Sequence, residues 1–373
     1  MINNPKKILI IRLSAIGDVL RALPVLHTIK HNFPRSYIAW AVEEPARDLL
    51  LHHPQVNEVL TVPKTAWVSL LKSGRMVRLC REIASFVRTL KSKQFDLAID
   101  FHGLLKSGLI SFLSGAPVRV GFTREFTKEG NFLFNNCRFP LETGAISRIE
   151  RNFRLLEKMG LKIIDDYPVI PITDNERSVV KEFFRHARID SSRLLVAIHP
   201  GTSPRTLYKR WDPHRYATVA DQLIKDYAAQ IIFTWSGSER DTVNEITAQM
   251  KYRAHSACET KSLGQLAEIF RHCDLYIGGD TGPMHLAAFM RVPVVAIFGP
   301  TDCVVNAPYN KTKHIIIRKE IPCSPCRDRY CKKRDCMKAI QDDDVIQAAR
   351  LILNAGKQRA ATQSPAPYTI SHR

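Results

Sequence analysis

No stretch of this 373-residue chain is apolar for long enough to cross a bilayer. The apolar run near the amino terminus, ILII, ends at Arg12 and is too short for the apolar region of a signal peptide. The chain is therefore expected to be neither exported nor membrane-spanning, and to work in the cytoplasm. Neither the glycine-rich dinucleotide fingerprint nor the nucleotide-triphosphate loop occurs, and no repeat of short fixed period is visible. Acid is scarce as well. The 36 Asp plus Glu stand against 55 Lys plus Arg, a formal charge of +19, which calls for an anionic partner such as a nucleic acid, an acidic membrane surface or a phosphorylated substrate. A nucleic acid fits least, because no recognised motif with stacking aromatics on a basic strand or helix occurs.

What is present is a recurring alternation of short apolar runs with helical patterns. KKILIIRLSAIGDVLRALPVL opens as a continuous strand, passes a Ser/Gly loop and turns helical. YIAWAVEE, EVLTV, FDLAIDF and VRVGF continue the series, then a Pro/Asp-punctuated stretch near 161–192 precedes RLLVAIHPG, QIIFTWSG, DLYIGG and VPVVAIFG. Continuous rather than alternating apolar runs predict parallel sheets covered on both faces, so the fold class is α/β with two Rossmann-like domains. The boundaries are set at 1–175, 176–340, a closing helix 341–356 and a disordered tail 357–373.

Open α/β sheets bind ligands at the carboxyl ends of their strands, which directs attention to the loops. In LSAIGD, Asp18 follows a buried strand and reads either as the cap of the next helix or as a proton acceptor. In HPGTSPRTLYKRW, Thr202, Ser203 and Lys209 offer donors and positive charge suited to phosphate oxygens. In GGDTGPMH, Pro283 suits a first helical turn, which puts Thr281 and Gly282 at a helix entrance whose free N–H groups favour a diphosphate. His285 adds a donor one turn in, and Asp280 holds the loop or binds a ribose hydroxyl.

ILIIRLSAIGDVLRALPVL, FDLAIDFHGLLKSG, HPGTSPRTLYKRW and GGDTGPMHLAAFMRVPVVAIFGPTD together, in order and spacing over residues 6–350, resemble the ADP-heptose:lipopolysaccharide heptosyltransferases of glycosyltransferase family nine. The resemblance implies a GT-B fold, with two domains facing across a cleft and the final helix crossing back to the first. It also implies inverting, metal-independent and cofactor-free transfer from ADP-heptose to the inner core of lipopolysaccharide, of the Kdo-lipid A type, by a protein peripheral on the inner membrane's anionic cytoplasmic face. By position, Asp18 matches the family's general base and Lys209 its phosphate-contacting lysine, with Thr202 and Ser203 beside it. Asp280, Thr281, Gly282 and His285 match the donor-binding loop. Asp241 matches the acidic residue near the ribose, with Glu239 as the alternative. His102 stands where the family usually shows Gln, and Arg119 and Arg151 are candidate anchors for acidic groups of the acceptor. No metal site is assigned for catalysis: the formal Asp-x-Asp run Asp342-Asp343-Asp344 opens the closing helix and reads as its cap.

Two features remain. Cys323, Cys326, Cys331 and Cys336 have spacing that four-thiol zinc sites use, in a loop that would brace rather than catalyse. Between Lys64 and Lys93 lie eight basic residues and one acid, with Trp67, Leu70, Leu71, Val77, Ile83, Phe86, Val87 and Leu90 at near-helical spacing. That segment reads equally as a core-facing helix or as one lying on a membrane surface.

Overall fold

The computed structural model describes residues 4–142, 144–237, 239–326 and 328–362, with side chains described through Ala355. The chain divides into two compact units, one formed by 1–177 with 261–267 and 304–307, the other by 178–260, 268–303 and 308–373.

The first unit carries β1 (Lys7–Ile11), β2 (Tyr37–Glu43), β3 (Glu58–Val62), β4 (Leu97–Asp100), β5 (Val118–Phe122) and β6 (Cys137–Phe139). They form one parallel sheet in the order β3-β2-β1-β4-β5-β6. Ile8 to Ile11 and the whole of β4 are buried, as expected of strands covered on both faces. Strand order reverses between β1 and β4, and an open sheet of this kind offers its crevice at that point. The loops carrying Asp18 and His102 leave from there.

The second unit repeats the plan with β7 (Leu195–His199), β8 (Gln230–Phe233), β9 (His255–Ser256), β10 (Leu275–Gly279), β11 (Val294–Ile297) and β12 (His314–Ile317). Their order is β12-β11-β10-β7-β8-β9, again all parallel, with the reversal between β7 and β10. The loops bearing Thr202 to Lys209 and Asp280 to His285 leave from that point.

The closing helix, Asp342–Thr362, packs on the helix Pro213–Tyr227 and on β10, β11 and β12, all in the second unit. Its buried stripe, Val345, Ala348, Ala349 and Ile352, recurs at helical spacing and joins the second unit's core, which fixes it there. The helix also continues past Gly356, so the expected disordered tail begins inside it, and residues 363–373 of that tail lie outside the described residues. The three aspartates do open this helix: Asp344 accepts from the Gln341 backbone N–H at 2.9 Å and pairs with Lys319 at 2.7 Å.

The basic segment is two helices, Lys64–Lys72 and Met76–Ser92, because Gly74 takes φ +69°, a left-handed conformation that glycine adopts without steric cost. Leu70, Leu79 and Leu90 are buried, and Trp67 meets Phe86 edge-on at 5.6 Å, so an inner stripe does face the core.

Candidate active site

In the first unit, β1 ends at Ile11 and, after four intervening residues, the helix Ile16–Leu20 begins, with Ala15 at its N-cap position. Asp18 therefore lies inside the helix and does not cap it. Its carboxylate receives Arg12 at 2.8 Å, Arg21 at 2.5 Å and Arg148 at 3.2 Å. Burial alone would raise the proton affinity of Asp18, but the guanidinium groups of Arg12, Arg21 and Arg148 outweigh it and hold the carboxyl well below the usual range. Arg21 is itself fixed by Asn306 at 3.0 Å, on the returning segment 304–307 of the same unit.

Arg12, Asp18, Phe101, Arg148, Arg151 and Asn152 line one small pocket. Arg151 stacks over Phe122 with its guanidinium carbon 4.2 Å from the ring centroid, and donates to the Phe126 carbonyl at 2.5 Å. Burial, then the charges of Arg12 and Arg148, lowers the Arg151 pKa to about 10. The Nε atoms of Arg12, Arg148 and Arg151 are buried without a hydrogen-bond partner among the described residues. Buried unpaired donors are costly, and three around one pocket suit an anion.

Arg119 does not belong to this group. It is the second residue of β5, and its register partner Ala98 is likewise second in β4, so it sits at the amino ends of the strands, away from the carboxyl edge. Its guanidinium donates to the carbonyls of Phe134 at 3.0 Å and Ala116 at 2.8 Å and has a structural task. The sequence reading missed Arg12, Arg21 and Arg148. The first two carried a signal, being the residue that ends the strand ILII and the residue one helical turn beyond Asp18. Arg148, 130 positions away, carried none.

His102 follows β4. Its Nδ1 accepts from the Leu13 N–H at 3.3 Å, and Asp100 beneath it takes Asn131 at 2.6 Å, Ser107 at 2.9 Å and the His102 N–H at 2.8 Å. Burial first, then the Arg12 and Lys106 charges, pushes the imidazole down to about 3. The unfolded imidazole, at its ordinary value near 6.5, takes up a proton that the folded one refuses, so stability falls as pH drops below about 6.5. At pH 5 the His102 contribution amounts to about 2 kcal/mol. Denaturant titrations of wild type and His102→Gln at pH 7 and pH 5 are expected to show the first unit losing about that much more stability on acidification in the wild type.

In the second unit, Thr202 is buried after β7; its hydroxyl receives Arg210 Nε at 3.1 Å and donates to the Thr206 carbonyl at 3.3 Å. Ser203 is exposed and bonds Thr206 at 2.9 Å. Lys209 Nζ reaches the Asp280 carboxylate at 2.8 Å and its carbonyl at 3.3 Å, joining the loop after β7 to the loop after β10. A Cβ at Gly278 would come within 2.5 Å of the Tyr276 hydroxyl and 2.9 Å of the His199 carbonyl, so glycine suits the place where β10 lies beside the end of β7.

Thr281 occupies the position just before the helix Gly282–Phe289, and Pro283 falls in its first turn, as the sequence pattern predicts. The hydroxyl of Thr281 turns back to the Gly279 carbonyl at 3.4 Å, so it does not cap the helix N–H groups. His285 is buried one turn in, with Nε2 4.0 Å from Asp280 Oδ1.

Asp241, ranked first for the acidic position, is exposed on the helix Glu239–Gln249. Glu239 is the residue at the loop: it lies 3.8 Å from His199 Nε2 and takes the Ser236 N–H at 2.9 Å. A Cβ at Gly201 would sit 2.3 Å from the Glu239 carboxyl carbon, so the glycine makes room for it. All four clustered cysteines are free thiols, and among the described residues no three potential ligands close on a common point.

A profile of glycosyltransferase family 9 (heptosyltransferase) matches residues 83–337. Over 316 residues the chain is 26% identical to the lipopolysaccharide core heptosyltransferase of Haemophilus influenzae, covering 84% of each. It is 26% identical over 321 residues to lipopolysaccharide heptosyltransferase 2 of Escherichia coli, covering 83% of this chain and 87% of that one. Among solved structures, a family 9 glycosyltransferase from Veillonella parvula superimposes with a TM-score of 0.79 at 21% identity, over 94% of this chain and 98% of the other. An E. coli heptosyltransferase solved with ADP gives 0.68 at 21% identity, over 96% and 100%.

Proposed function

The chain belongs to glycosyltransferase family 9, and from that premise we propose that it moves a heptose from ADP-heptose to an inner-core sugar of lipopolysaccharide, with inversion and without a divalent ion. The observation that carries the donor half is Lys209, held at 2.8 Å by Asp280 beside the entrance of the helix Gly282–Phe289. When the bond from the sugar's anomeric carbon to the diphosphate breaks, negative charge grows on the departing oxygen. A fixed ammonium and the free N–H groups of a helix entrance meet that charge with little reorganisation, which is the work a metal does elsewhere. Glu239, rather than Asp241, faces the ribose hydroxyls in this reading, and Thr202 shapes the loop over the phosphates.

The acceptor half rests on the pocket around Asp18. The attacking hydroxyl forms its bond to the anomeric carbon and gives its proton to the Asp18 carboxylate. A carboxylate clamped by three arginines is a weak base, yet the incoming oxygen becomes strongly acidic as the new bond forms, so a weak base placed in contact suffices late in the step. The acceptor's own carboxylates or phosphates would draw Arg148 and Arg151 toward themselves, loosening the clamp and raising the proton affinity of Asp18 when substrate is present.

The test is a panel of nucleotide sugars offered with heptose-deficient lipopolysaccharide, the product read by mass. Addition of one heptose from the ADP donor is expected; preference for a UDP-sugar would replace the donor assignment with another substrate for the same fold.

A further inference from the structure

The helical pair Lys64–Lys72 and Met76–Ser92 buries one stripe and leaves another without a partner. Every residue from Leu71 to Arg78 is exposed, and within that tip Leu71 is 55%, Met76 49% and Val77 67% open to solvent. Lys72 and Arg75 alternate with these apolar side chains, and Arg81 follows on the next turn. Arg78 is answered by Glu82 at 3.1 Å, but among the described residues no carboxylate pairs with Lys72, Arg75, Arg81, Arg88 or Lys91.

An exposed apolar patch ringed by unanswered cations needs a partner with an anionic surface and an apolar interior, which describes a bilayer containing acidic lipids. A second copy of the same face would bring like charge against like charge. Among the described residues no helix is long and apolar enough to cross a membrane, so attachment through this surface would be peripheral. We propose that the tip formed by Leu71, Lys72, Arg75, Met76, Val77 and Arg81 docks the first unit on an anionic lipid bilayer. The acceptor reading above, a sugar carried on lipid, gives this docking its purpose; the docking itself is measured without turnover, so the two fail separately.

The experiment floats the full chain with vesicles of phosphatidylglycerol and phosphatidylethanolamine, and with phosphatidylcholine as the neutral control. Wild type is expected to float with the anionic vesicles only. Lys72→Glu/Arg75→Glu/Arg81→Glu and Leu71→Ser/Met76→Ser/Val77→Ser are each expected to lower partition by on the order of a hundredfold. Because the altered side chains are exposed, both variants should keep transfer to a deacylated, water-soluble core acceptor within about twofold of wild type. Flotation of either variant like wild type, or of wild type with neutral vesicles equally well, overturns the proposal. So does parallel loss of flotation and of transfer to the soluble acceptor, which would make the tip an acceptor subsite.

Discussion

Asp18→Asn is expected to lower turnover by about a thousandfold or more while ADP binding stays within about twofold of wild type. The substitution keeps the side chain's size and removes its ability to take a proton. In the proposed reading the donor is held by the second unit, through Lys209 beside Asp280 and the helix entrance at Thr281 and Gly282, and should lose nothing. The fold will feel the change, because Arg12, buried and 2.8 Å from Asp18, is left without its counter-ion; removing one member of a buried pair costs about 3–5 kcal/mol. A companion variant separates chemistry from folding. Arg148 is one-third exposed, so Arg148→Gln removes a positive neighbour at modest structural cost. The proton affinity of Asp18 then rises, and the acid limb of kcat/KM moves to higher pH. If Arg148 also receives the acceptor's anionic groups, the acceptor KM rises about tenfold or more. Full turnover in Asp18→Asn would remove it as the base.

Lys209→Ala should lose about a hundredfold to a thousandfold in turnover, the size of effect seen when one fixed donor is taken from a developing negative charge. Unlike the Asp18 variant, it should also weaken ADP binding, by about tenfold, because in the proposed reading the ammonium contacts the phosphates in the ground state as well. Lys209→Arg is expected to recover part of the binding and little of the rate, since a planar fork does not reproduce a point charge on a short reach. Asp280 is buried and loses its 2.8 Å contact with the ammonium in Lys209→Ala, so the double variant Lys209→Gln/Asp280→Asn controls for that loss: stability should return and turnover should not. Equal activity of wild type and the double variant would show that the leaving charge is met by other groups.

The central strands were legible because each is a continuous apolar run ending at a loop of unusual composition, which is how β1, β4, β7 and β10 present themselves. β6, β9 and β12 were not, being short strands at the outer edges of their sheets with half-exposed or exposed residues, so their apolar signal is weak. The closing helix was legible through its own stripe from Val345 to Ile352, which joins the second unit's core.

For the site, residues adjacent in sequence to a strand end could be read, and those brought in from afar could not. Arg148 reaches Asp18 from the start of the helix Arg148–Lys158, whose composition looks like any charged surface helix. Arg119 misled because charge and proximity to a strand were visible while its place at the wrong end of that strand was not. Asp241 and Glu239 differ by two positions on one helix, roughly 200° of rotation, which puts one at the loop and the other in solvent. The crowding of Gly201 against Glu239, the Ser236 N–H on its carboxylate and the exposure of Asp241 all favour Glu239.

The measurement that bears most directly on the account is the rate of transfer from ADP-heptose to heptose-deficient lipopolysaccharide in excess chelator. With Lys209 and the helix entrance neutralising the leaving diphosphate, the rate should be undiminished. A rate that collapses on chelation and returns with added magnesium or manganese would contradict it.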